Sequence, residues 1–115
     1  MKKYLLLTWM LTALATAQGR ERECFDRDWR FTLADSAVMA SPDYNDAHWR
    51  RLDVPHDWAI EGDFSAGNPS GAGGGALPGG IGWYRKAFTI ENGALSRFFL
   101  AFDGVYMNST VYVNG

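Results

Sequence analysis

The strongest constraint on this chain is a period of two. In residues 82–90, Tyr84, Lys86, Phe88 and Ile90 alternate with Trp83, Arg85, Ala87 and Thr89, and residues 105–113 alternate again. A repeat at every second residue belongs to extended backbone with one face turned to a core. Residues 97–102 read as a further strand, and Asn92-Gly93 and Asp103-Gly104 supply hairpin-turn chemistry between these segments. Earlier in the chain, Trp29, Phe31 and Leu33 fall on one face of a strand, with Asp28, Arg30 and Thr32 on the other. No stretch repeats at helical spacing beyond the first 17 residues. The expectation is an all-β sandwich.

Those first residues have a different logic. Lys2 and Lys3 precede an uncharged, mostly apolar run over residues 4–14, and Ala15-Thr16-Ala17 places small residues at the positions a signal peptidase reads. The run is shorter than the ~20 residues a membrane-spanning helix needs. Residues 1–17 are therefore expected to be a cleaved signal peptide rather than a stable membrane anchor, which sends the protein to the periplasm or outside the cell. Residues 18–23 form a polar mature terminus, and the folded portion is residues 24–115.

The chain carries a formal net charge of −2, and loss of the leader removes two lysines. A mildly acidic surface offers no basic face for nucleic acid or anionic lipid. The single cysteine, Cys24, has no partner for an internal disulfide and is expected to act as a small buried apolar residue. From residue 34 to residue 48 the alternation breaks. Ser41-Pro42-Asp43 and Asn45-Asp46 suggest turns and a short helical turn before Trp49, and residues 51–54 are extended up to Pro55. Residues 65–82 hold eight of the 13 glycines, Pro69 and Pro78, and no charged residue. This is a long loop whose small side chains are expected not to fix one conformation by their own packing. Its run from Ser70 to Gly75 lacks the lysine of a phosphate cradle.

Five motifs then stand in order: Asp28-Trp29-Arg30-Phe31; Trp49 with Val54-Pro55-His56-Asp57-Trp58; Gly82-Trp83-Tyr84-Arg85-Lys86; Phe102-Asp103-Gly104-Val105; and Val111-Tyr112-Val113-Asn114-Gly115. In that order and spacing they closely resemble the amino-terminal sugar-binding domain of family 2 glycoside hydrolases, β-galactosidases above all. The resemblance spans essentially all of residues 24–115. It implies a jelly-roll, galactose-binding-like sandwich followed by an immunoglobulin-like domain and a (β/α)₈ catalytic barrel. The chain stops on the hairpin dipeptide Asn114-Gly115, so the sandwich is expected to be incomplete at its carboxyl end. The partners implied are a carbohydrate, through the parent enzyme, and those two further domains. The same resemblance admits a β-glucuronidase or β-mannosidase, and a different class of reading is an autonomous carbohydrate-binding module.

A retaining glycosidase needs two carboxyl groups ~5–5.5 Å apart. The resemblance puts that pair in the barrel, and none of Glu21, Glu23, Glu61 and Glu91 has a clear partner, Asp57 and Asp63 near Glu61 being the nearest candidates. No catalytic residue is assigned, no cofactor motif is evident, and His48 and His56 lack a third metal ligand at a supporting spacing. The candidate substrate-binding residues are Asp57, which can accept from a sugar hydroxyl, and Trp58, which can stack on a pyranose. The alternative, favoured by the cost of burying either group unpaired, has Asp57 accepting from backbone N–H groups and Trp58 in the core.

Overall fold

The computed structural model describes residues 20–91 and 97–115. The leader, residues 18 and 19 of the polar mature terminus and the Asn92-Gly93 turn lie outside the described residues. Trp29–Leu33 (β1), Arg50–Leu52 (β2) and Gly82–Arg85 (β3) form a three-stranded sheet in the order β2-β1-β3. Both pairings are antiparallel, and no α-helix occurs among the described residues. Three short 3₁₀ turns, Ala37–Ala40, Trp58–Glu61 and Ala72–Gly74, lie in the connections.

Register sorts the side chains into two faces, because directly opposed residues of antiparallel strands share a side. Phe31 stands between Arg50 of β2 and Tyr84 of β3, while Arg30 stands between Arg51 and Arg85. Trp29, Phe31 and Leu33 thus share a face, as the alternation predicts, and Phe31 is buried at its centre.

The opposite face is organised by Arg85. Its Nη1 donates to the carbonyls of Met39 (2.7 Å) and Ser41 (2.9 Å), its Nη2 to Pro42, and its Nε to Asp46. Arg30 reaches the other oxygen of Asp46 at 3.4 Å. A guanidinium offers five fixed donors, which suits it to gather the carbonyls of an irregular segment that has no ladder of its own. Residues 39–46 are held to the sheet in this way, and Met39 and Trp49 are buried. The turn expected to lead into Trp49 is a single turn in which Trp49 N–H donates to the Asp46 carbonyl at 2.9 Å, while the 3₁₀ turn Ala37–Ala40 lies upstream of the expected caps.

Four expectations need correction. Residues 86–90 do not continue β3, and residues 97–102 and 105–113 form no strand. A strand exists by pairing, and those segments find no ladder among the described residues. They run exposed, with Phe99 and Tyr106 78% and 94% accessible. Within residues 97–113 Tyr112 stacks on Trp83, with ring centroids 5.8 Å apart. β2 begins at Arg50 and ends at Leu52, short of Val54. Cys24 is exposed rather than buried, because the contact at that end is made by its neighbour Phe25, whose ring meets Trp29 and Phe88 edge-on.

The glycine-rich loop is the last of these corrections: it holds itself together. Ser65 N–H donates to the Ala76 carbonyl (3.1 Å) and Ala76 N–H to the Gly71 carbonyl (2.7 Å). The Asn68 amide donates to the carbonyls of Asp63 and Ala76, and Ser70 Oγ to that of Leu77. Pro78 lies against Gly62, and Pro69 against Gly79. Backbone groups and two polar side chains supply what apolar packing does not, the construction of a compact Ω-type loop.

Candidate functional site

The polar residues that the sequence brings together lie on the Phe31 face. Leu52 ends β2, and the chain turns through Val54-Pro55 into His56 and Asp57. Asp57 then starts the Trp58–Glu61 turn, its Oδ1 accepting from Ala59 N–H at 3.0 Å. A short oxygen-bearing side chain in extended backbone before a helical turn satisfies an N–H that has no carbonyl partner. Asp57 is exposed and fills that capping role.

Trp58 is half-buried against the sheet. A Cβ placed on Gly82 would stand 2.9 Å from the indole Nε1 and 3.0 Å from Phe31, so the indole sits directly over β3. Glycine at 82 is what lets the ring approach the strand so closely. Of the two candidate residues, Asp57 therefore serves as a cap and Trp58 as packing, with Asp57 retaining an oxygen open to solvent.

The sequence reading missed the centre of the cluster. Arg50 makes a bidentate pair with Glu61, 2.8 Å from Nη1 to Oε2 and 2.7 Å from Nη2 to Oε1. His56 Nε2 lies 2.7 Å from Arg50 Nη2 and 3.1 Å from Glu61 Oε1, and its Nδ1 lies 2.8 Å from the Tyr84 hydroxyl. Arginine only donates, so in the neutral ring Nε2 accepts from Arg50 and Nδ1–H donates to Tyr84. A proton on Nε2 turns that nitrogen into a donor toward Glu61. Phe31 floors the cluster, 4.9 Å from His56 and 4.8 Å from Tyr84 between ring centroids, with the Arg50 guanidinium 5.6 Å above its face. The signal available in the sequence was the strand register, which puts residues 31, 50 and 84 abreast.

The charges behave accordingly. The Arg50 guanidinium, and after it His56, hold the Glu61 carboxyl at about 2, well below its ordinary 4.5. The same contact with Glu61 raises Arg50. Burial raises the Tyr84 phenol, helped by the Asp57 carboxylate. His56 is the enclosed member, its side chain 11% accessible against 44% for Glu61. The arrangement binds four side chains into one unit and leaves the outer edges of Arg50 and Glu61 in water.

The chain is 60% identical over 97 residues to Beta-galactosidase BoGH2A of Bacteroides ovatus, a match covering 84% of this chain and 11% of that protein. It is 46% identical over 92 residues to a putative beta-glucuronidase of Formosa agariphila, covering 79% of this chain and 9% of the relative. The chain is related to β-galactosidases and β-glucuronidases. The resemblance to family 2 glycoside hydrolases carried by the five sequence motifs therefore stands. A solved β-glycosidase from Bacteroides vulgatus superposes with a TM-score of 0.56 at 46% identity, over 58% of this chain and 9% of that chain. No protein-family profile matches it. The segment spans about a tenth of the length of the curated relatives it matches, 11% and 9%.

Proposed function

We propose that this chain is the non-catalytic sugar-binding and scaffold portion of an exported glycosidase that hydrolyses β-galactosides. The observation that carries this reading is the 60% identity to a β-galactosidase, against 46% to a putative β-glucuronidase. The jelly-roll sandwich, the cleaved leader and export belong to the same proposal. So do the immunoglobulin-like and barrel domains as its partners. The non-catalytic role is supported by what the carboxylates do. Glu61 has both oxygens engaged and is held at about 2. A general acid works best with a pKa near the operating pH, and Asp57 caps a turn. Within this reading the loop over residues 62–82 forms one wall of the substrate pocket built by the barrel. Asp57 and Trp58 remain the proposed sugar contacts, through the free carboxylate oxygen and stacking of the indole on a pyranose.

The test is a parallel assay of nitrophenyl β-galactoside and β-glucuronide with the full-length protein and with residues 18–115 alone. The reading expects turnover of the galactoside by the former and none by the latter. Preference for the glucuronide would move the assignment to the β-glucuronidase alternative, which the Formosa relatives favour. Turnover by the short segment, lost in Glu61→Gln, would end the scaffold reading.

A further inference from the structure

The Arg50–His56–Glu61–Tyr84 cluster stands at the root of the glycine-rich loop. Glu61 closes the 3₁₀ turn, Gly62 follows it, and β3 resumes at Gly82 with Tyr84 two residues on. One network therefore touches the chain immediately before the loop leaves the sheet and immediately after it returns. Residue 50 anchors the network to β2, and Phe31 of the central strand supports it from below.

The loop is also stiff in its own right. Its Ser65–Ala76, Ala76–Gly71 and Asn68 bonds make a closed unit, and Pro78 against Gly62 joins its two legs. A stiff unit on two legs has few ways to move except by rotating at its base. Ile81 is bonded to Ala34 at one leg, and at the other the constraint on the angle is Glu61 in the grip of Arg50. A bidentate guanidinium–carboxylate pair fixes an angle as well as a distance, which a single hydrogen bond or an apolar contact does not. His56 adds a second fixed direction by spanning from that pair to the Tyr84 hydroxyl.

We propose that Arg50, His56, Glu61 and Tyr84 act as one clamp that sets the orientation of the 62–82 loop against the sheet, making them positioning residues for the substrate wall. That the loop forms such a wall rests on the reading in the preceding section; that the clamp sets the loop does not. The clamp predicts local consequences. Glu61→Gln keeps the shape but loses the charge, Arg50→Lys keeps the charge but loses the fork, and Tyr84→Phe keeps the ring on Phe31 but loses the hydroxyl.

Peptide-resolved hydrogen exchange on the full-length protein decides it. Each of the three variants is expected to exchange about threefold to tenfold faster in peptides spanning residues 62–82, with β1 peptides unchanged. Unchanged exchange in the loop, or equal loosening of β1 and loop in all three, overturns the clamp, the latter because the four residues would then be ordinary supports of the sheet. KM and kcat for a β-galactoside, measured on the same variants, test the wall separately. With the loop loosened, KM is expected to rise by about threefold to tenfold at nearly constant kcat. Loosening without any change in KM leaves the clamp standing and removes the pocket wall.

Discussion

Asp57 fills the backbone-accepting role that the sequence reading set beside a sugar contact. Its carboxylate accepts from the backbone at 3.0 Å, a duty asparagine performs about as well and alanine cannot. If capping is the whole of its role, Asp57→Asn leaves both stability and sugar affinity near wild type. Asp57→Ala then costs roughly 0.5–2 kcal/mol in a denaturant titration. A loss of affinity in Asp57→Asn with stability intact would instead restore it as a sugar contact. Glu61 carries a pH prediction. Its folded pKa of about 2 lies below its ordinary 4.5, so the carboxylate is the form the fold favours. The stabilisation is then fully present above pH ~4.5 and is lost as the pH falls through about 2. A comparison of wild type with Glu61→Gln by denaturation across pH 2 to 7 should show a gap that is constant above pH ~5 and closes toward pH 2. A gap that widens on acidification would contradict the ion pair.

At the scale of elements, the loop is the part whose behaviour was least visible beforehand. Residues 65–82 contain no charge and few large side chains, from which mobility follows if apolar packing is the sole source of order. The structure uses backbone bonds, with Asn68 and Ser70 donating to carbonyls 8 and 7 residues further along the loop. Deleting residues 71–75 removes the Gly71 carbonyl that holds Ala76 and the turn at Ala72–Gly74. On the proposed function, this deletion in the full-length protein is expected to raise KM while kcat stays within about tenfold, the pattern of lost uniform binding. Steady-state kinetics on a β-galactoside measure it, and an unchanged KM would make the loop a surface connection. The strands show the opposite balance. β1 was legible because alternating apolar residues have only one way to meet a core, and its partners follow from register.

For the molecule as a whole, the described residues bury few large side chains: Phe31, Met39 and Trp49 are the buried hydrophobic ones. Phe98, Phe102, Met107, Val111 and Val113 are at least half accessible in the carboxyl-terminal segment. Apolar surface of that extent contributes nothing to stability until something covers it, and it favours association. Residues 18–115 expressed alone should therefore unfold over a broad temperature range and bind a hydrophobic dye. Differential scanning calorimetry and dye fluorescence provide the measurement. A sharp, reversible, concentration-independent melt would show that the segment completes its own core.

What the sequence by itself determined is local: the period-two strand at Trp29–Leu33, a strand beginning at Gly82, the turn chemistry before Trp49, the existence of a loop at residues 65–82, and the family resemblance carried by short motifs. Each depends on neighbours a few residues apart, where side-chain type and backbone preference act directly. Tertiary structure decided the rest. Arg50, His56, Glu61 and Tyr84 are up to 34 positions apart in sequence, and no composition or spacing rule joins them. They meet because β1 lies between β2 and β3, which places residues 31, 50 and 84 in one row. The same dependence explains why residues 97–102 and the alternating residues 105–113, both read as strands, are not strands among the described residues: sequence pattern specifies which side faces a sheet, but a strand needs the hydrogen bonds of a neighbour to exist.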